Sequence, residues 1–99
     1  MEQRLAALYL VLSQIPVGRV TTYGDLAKLI GLANGARWVG RTLGQLPQES
    51  QLPWHRVINS QGRISLPDER GQYQKGLLQA EGIVFTGERT SLARYRWRP

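Results

Sequence analysis

Thr21-Thr22-Tyr23-Gly24-Asp25-Leu26-Ala27-Lys28-Leu29-Ile30-Gly31, followed by Asn34 and then Ala36-Arg37-Trp38-Val39-Gly40-Arg41-Thr42-Leu43, reads as two short helices joined by a tight turn. A threonine hydroxyl with an acidic side chain three residues on, at Asp25, is a helix-start signal, so a helix is expected to begin near Thr22 with Leu26, Leu29 and Ile30 on its inner face. Gly31 stops it, Asn34 is expected to cap the next helix, and that helix should run to about Leu46 before Pro47. Two such helices with a glycine in the turn form a helix-turn-helix pattern, whose second member enters a groove of DNA. On that member Arg37 and Arg41 lie one turn apart on one face, and Gly40 and Gly44 one turn apart on another. A smooth strip beside two cations suits close approach to a sugar-phosphate backbone; tight helix packing is an equal reason for the glycines.

Upstream, Leu5, Leu8, Tyr9, Leu12 and Ile15 recur at intervals of three and four, which predicts a helix over 2–14 ended by Pro16. Downstream, Gln48 to Leu52 is a polar loop, and Val57-Ile58 and Arg63-Ile64-Ser65 flank the turn-rich Asn59-Ser60-Gln61-Gly62, which predicts a small hairpin acting as a wing. Leu66 to Gly71 reads as an irregular loop. Tyr73, Leu77, Leu78 and Ala80 mark a further helix ended by Gly82, and Ile83-Val84-Phe85 an apolar strand. The tail Arg94-Tyr95-Arg96-Trp97-Arg98 is expected to pack its rings on the domain and keep its arginines in water. The fold class expected is mostly α with a small β-hairpin: a winged helix-turn-helix-like DNA-binding domain over residues 1–99.

Thirteen Lys and Arg against seven Asp and Glu give a formal charge of +6, the electrostatic footprint of a nucleic-acid or anionic-surface binder. All but Lys28 and Lys75 are Arg, the cation that pairs bidentately with phosphate and stacks on bases. With no cysteine and one histidine there is no disulfide framework and no thiolate or zinc site, and a reducing interior is expected. No stretch approaches the roughly 20 apolar residues of a membrane span and no leader pattern is present, so the expectation is a cytoplasmic monomer, nucleoid-associated if bacterial, with no membrane partner, metal or cofactor.

The only histidine lies in Pro53-Trp54-His55-Arg56-Val57. Trp54, His55 and Arg56 offer a stacking surface, a titratable ring and a fixed cation, which suit a flat, polar, anionic group such as a nucleotide. A buried Trp beside a hydrogen-bonded His is also ordinary core.

Ile15-Pro16-Val17-Gly18-Arg19-Val20-Thr21-Thr22-Tyr23-Gly24, Ala36-Arg37-Trp38-Val39-Gly40, Pro53-Trp54-His55-Arg56-Val57-Ile58-Asn59-Ser60 and Leu77-Leu78-Gln79-Ala80-Glu81-Gly82 together resemble, in order and spacing, the DNA-binding domain of O6-alkylguanine-DNA alkyltransferases. Those enzymes carry Pro-Cys-His-Arg-Val, with the cysteine as alkyl acceptor; Trp54 stands in its place. That departure, the lack of the enzymes' N-terminal domain and the Tyr-Arg-Trp-Arg-Pro ending are similar to the alkyltransferase-like proteins.

The resemblance implies that Tyr23 presses on the phosphate of the target nucleotide and helps rotate it outward, and that Arg37 fills the gap left by the flipped base. It matches His55 and Glu81 to a relay that in the enzymes activates the cysteine. A lesion pocket of Tyr23, Trp54, His55, Arg56 and Glu81 is therefore expected, with DNA contacts from Thr22, Tyr23, Arg37, Gly40 and Arg41. Leu46-Pro47 departs from the enzymes' Asn-Pro, and the loop from Ile64 to Gly71 differs from their Gly-rich version, which points to a shifted lesion preference.

The function expected is a non-enzymatic sensor. It binds duplex DNA containing O6-alkylguanine, flips the damaged nucleotide into a pocket beside Trp54, and hands the site to nucleotide excision repair proteins. Two alternatives stand against it. One is a winged helix-turn-helix regulator indifferent to alkylation; the other is a hydrolase using a serine with His55, for which no supporting motif is present.

Overall fold

A computed structural model describes residues 2–99. The first helix, α1 (Glu2–Ser13), buries Leu8 and Leu12, and Ile15 just beyond it is buried as well, as the three-and-four spacing predicts. Strand β1 (Thr21–Thr22) leads directly into α2 (Tyr23–Leu29), and the Thr22 hydroxyl accepts from the Asp25 N–H at 3.0 Å, capping the helix. Gly31 takes φ +82, the left-handed conformation that ends a helix cheaply only at glycine. Helix α3 (Ala36–Gly44) then packs against α2.

Three local expectations about this pair change. Asn34 is not the cap of α3: Gly35 occupies that position and offers no side-chain bond. Leu29 is 46% exposed, and Ala27 takes its place on the inner face beside Leu26, because the seven-residue helix brings a narrower stripe to the core. Helix α3 ends at Gly44, two residues earlier than expected.

After the loop 45–53, Trp54–Arg56 forms one turn of 3-10 helix and runs into β2 (Val57–Ile58). Here the expected wing is corrected. The Asn59–Gly62 turn exists, with the Asn59 side-chain oxygen accepting from the N–H groups of Gln61 and Arg63. Val57 and Ile58, however, pair in parallel with Thr21 and Thr22 rather than with Arg63–Ser65. Thr21 and Thr22 are both buried, and a parallel partner satisfies backbone groups that would otherwise be stranded there. The antiparallel hairpin lies later, as β3 (Phe85–Thr86) and β4 (Arg89–Thr90), so the expected strand at Ile83–Phe85 is displaced toward the turn.

Helix α4 (Asp68–Ala80) begins inside the stretch expected to be a loop; Asp68 and Glu69 in its first turn complement the positive helix N-terminus. Gly82, at φ +93, follows its end. A short α5 (Leu92–Tyr95) leads to the C-terminus, where the Val20 N–H donates to the Tyr95 carbonyl at 2.9 Å and the Trp97 N–H to the Val20 carbonyl at 2.7 Å. The tail rings pack inward as expected: Tyr95 is buried and Trp97 lies against the core. Arg96 is paired with Asp25 at 2.9 Å.

The small parallel sheet separates two apolar clusters. Leu8, Leu12, Ile15, Leu26, Val39 and Val57 fill one, beneath the helix-turn-helix pair. Val20, Ile58, Leu78, Ile83 and Tyr95 fill the other, beneath α4 and the hairpin. Val57 and Ile58 are neighbours in sequence yet serve opposite clusters, as alternation along a strand requires.

Thr22→Ala removes the cap of α2 and should lower stability by about 1 kcal/mol, read as a reduced melting temperature with the native spectrum retained.

Candidate nucleic-acid interface

The turn Trp54–Arg56 is held from behind by one carboxylate. Glu81 immediately follows α4, at the negative end of the helix, where an acid is unfavourable unless compensated. The compensation is dense. Arg56 donates from Nε to both carboxylate oxygens at 3.0 and 3.1 Å and from Nη2 at 2.7 Å. His55 Nε2 lies 2.7 Å from Oε2, and the Gly18 N–H donates to Oε1 at 3.1 Å. Arg56 Nη1 goes on to the Ile15 carbonyl at 2.8 Å.

Burial pushes the Glu81 carboxyl upward, but the hydrogen bonds from Arg56, His55 and Gly18 outweigh it and hold the pKa at about 2. An ionised carboxylate only accepts, so His55 carries its proton on Nε2. The two charged partners are largely buried, with side-chain exposures of 14% for Arg56 and 13% for Glu81. Gln74, itself buried, adds a second brace: its Nε2 donates to the carbonyls of His55 and Val57, each at 3.0 Å.

In front of this brace lies a cavity of about 690 Å³, within the roughly 300–1,000 Å³ usual for ligand clefts. Tyr23 from the start of α2, Gly40 and Gly44 from α3, Trp54, and Tyr73 with Arg70 from α4 contribute to its lining. The Trp54 ring stacks on Tyr73, with centroids 6.3 Å apart and planes 30° from parallel, and meets His55 edge-on at 6.0 Å. Tyr23 donates to or accepts from Ser65 at 3.0 Å, tying the start of α2 to the loop before α4. A Cβ on Gly40 would sit 3.6 Å from the Tyr23 ring, and one on Gly44 would meet nothing. Neither glycine is required by close helix packing; both leave the cavity wall smooth.

The expected site residues thus fall into four groups. Tyr23 and Trp54 line the cavity; His55, Arg56 and Glu81 form the ion-pair brace beside it and are not among its lining residues. Arg37, Gly40 and Arg41 lie on α3, with both arginines exposed and Gly40 also in the cavity wall. Thr22 is 2% exposed and spends its hydroxyl on the cap, so it positions Tyr23 from within.

Tyr73, Gln74 and Ser65 carry geometry that sequence reasoning did not assign to the site. Gln74 sits four residues before the buried Leu78, a spacing that places both on one helix face. Tyr73 carried only the helix signal, yet it is 63% exposed and backs Trp54.

A family profile described as the 6-O-methylguanine DNA methyltransferase DNA-binding domain matches residues 4–83. The chain belongs to this family. Among curated relatives, a DNA base-flipping protein of Vibrio parahaemolyticus is 49% identical over 100 residues, covering 100% of both chains. Alkyltransferase-like protein 1 of Schizosaccharomyces pombe is 39% identical over 106 residues, covering 100% of this chain and 98% of its own. A solved structure of S. pombe Atl1 in complex with damaged DNA containing O6-carboxymethylguanine matches with a TM-score of 0.89 at 38% identity, covering 100% of this chain and 98% of that one. The residues matched by the profile hold the helix-turn-helix pair and the braced turn, and the hairpin β3–β4 lies beyond them.

The brace makes stability acid-sensitive. The Glu81 pKa is depressed in the folded chain, so its contribution is complete above about pH 4.5, shrinks below that and is lost as pH falls through about 2. Glu81→Gln should cost about 3 kcal/mol at neutral pH and flatten this part of the stability profile, measured by denaturant titration from pH 7 to pH 2.

Proposed function

We propose that the chain is a non-enzymatic DNA damage sensor that binds O6-alkylguanine in duplex DNA, flips the nucleotide into the cavity beside Trp54 and leaves the alkyl group in place. The observation that carries this reading is the indole at the cavity wall in front of an intact His55–Glu81–Arg56 brace. Moving an alkyl carbon off the guanine oxygen requires a nucleophile to form the new bond, and an indole ring offers none that is activated. Among the described residues no hydroxyl hydrogen-bonds to the His55 ring, which is committed to Glu81. The names of relatives support the same reading: one is a DNA base-flipping protein, and a structural relative is described in complex with damaged DNA.

Alkylation weakens the pairing of guanine, so extrusion costs less at the lesion, and selectivity begins before the base reaches the cavity. Tyr23, fixed by Ser65 and by the cap beneath it, stands at the start of α2 to press on the phosphate of the rotating nucleotide. Arg37 is exposed on α3, and its planar guanidinium suits filling the vacated stack. Arg41, one turn further, and the bare surface at Gly40 complete the approach to the backbone. Trp54, stiffened by Tyr73, supplies apolar area for the alkyl group or the base. A protein that binds and does not repair is useful as a marker, and handing over to nucleotide excision repair proteins in the cytoplasm by a monomer completes the reading.

Gel-shift titrations of one duplex with and without O6-methylguanine should show tighter binding to the lesion; equal affinity returns the sequence-reading regulator. In the same assay Arg37→Ala should remove most of the lesion preference. Incubation with DNA labelled on the alkyl group should return all label on the DNA, and label on protein or in solution contradicts a pure binder.

A further inference from the structure

The hairpin carries a second concavity, of about 580 Å³, formed with the Arg63 edge and α5. Gly62 makes it possible. It takes φ +78, and a Cβ there would collide with the Thr90 carbonyl oxygen, whereas glycine lets the Thr90 N–H donate to the Gly62 carbonyl at 2.9 Å. The next residue, Arg63, then forms an antiparallel bridge with Arg89. Like charges directly opposite across such a bridge are destabilising. Arg94 adds a third guanidinium to the same lining, 5.1 Å from the centroid of the Tyr95 ring.

Among the described residues none of these three arginines has a carboxylate in ion-pair range. The one acid in the lining, Glu88, faces Lys75 at 3.6 Å, and that ammonium also donates to the Gly87 carbonyl at 2.9 Å. The backbone therefore holds uncompensated cations together around a groove, an arrangement that an anion relieves.

We infer that this groove is a second nucleic-acid contact, which takes the phosphodiester backbone of the same duplex beside the lesion site and reads neither base nor damage. Continuity with the cavity favours DNA as the source of that anion. The segment Arg63-Ile64-Ser65 leads from the groove to the Ser65 hydroxyl that holds Tyr23, a span of about 7 Å for two extended residues. The chemistry agrees: guanidinium forks match phosphate oxygens, and Thr86 and Ser91 add hydroxyls of the kind that contact phosphates. The inference rests on the proposed DNA binding but not on the preference for a lesion.

The test is a salt series with the double variant Arg63→Gln/Arg89→Gln, titrated against lesion-bearing and undamaged forms of a long duplex and of one trimmed close to the lesion. Affinity for both long duplexes should fall by the same factor, and the slope of log affinity against log salt should shrink by about 2. On the trimmed duplex variant and wild type should bind alike. The free variant should melt at or above wild type in low salt, because a like-charge pair has been removed; a markedly lower melt overturns the charge argument. An unchanged salt slope overturns the groove, and so does a loss confined to the lesion duplex or a loss seen only for binding of polyglutamate. A reduced slope in a protein with no lesion preference leaves the groove standing and removes the sensor reading instead.

Discussion

One carboxylate at the foot of α4 fixes the geometry of everything in front of it. Glu81 collects Arg56, His55 and the Gly18 amide, and Arg56 extends the hold to the Ile15 carbonyl. Three separate segments, the loop between α1 and β1, the turn at Trp54 and the end of α4, thus meet at a single ion pair. A buried pair of this kind adds little net stability over an apolar replacement, but removing one partner leaves a stranded charge, so it is strong as a constraint on position. What it positions is the turn that presents Trp54 to the cavity.

The two apolar clusters divide the work of support. The cluster under α1, α2 and α3 sets where Tyr23 and the arginines of α3 stand; the one under α4 and the hairpin sets where Tyr73 and the Arg63 edge stand. Arg37 and Arg41 are left exposed on α3 with no carboxylate partner in ion-pair range among the described residues, while Asp25 is taken by Arg96 and Glu81 by Arg56. With Asp25 and Glu81 taken up in this way, the arginines of α3 face outward uncompensated by either acid.

Local chemistry was legible in the sequence where the signal and the structure share the same few residues. The Thr22 cap, the stripe of α1, and the stops at Gly31 and Gly82 are of this kind. The Asn59–Gly62 turn was legible too, but the partner of Val57–Ile58 was not: a turn is written in its own four residues, whereas Thr21–Thr22 lies more than thirty positions away. The start of α4 was hidden for another reason. Pro67 and two acids are a valid helix opening, yet the same residues read equally as loop. For the site, the sequence supplied Trp54, His55, Arg56 and Glu81 as types, and only folding shows that the last three meet behind the cavity while the first faces it.

The parallel pairing of β1 with β2 has a geometric consequence. Thr22 lies opposite Ile58, so the residue following β1, Tyr23, and the turn preceding β2, with Trp54, are held at a separation set by strand register. The placement of these two cavity-lining residues relative to each other thus depends on main-chain pairing, since a one-residue slip would turn each strand's side chains to the opposite face. Exchanging wall residues such as Leu66 or Arg70 changes the shape and polarity of the lining while the pairing of β1 with β2 stays as it is.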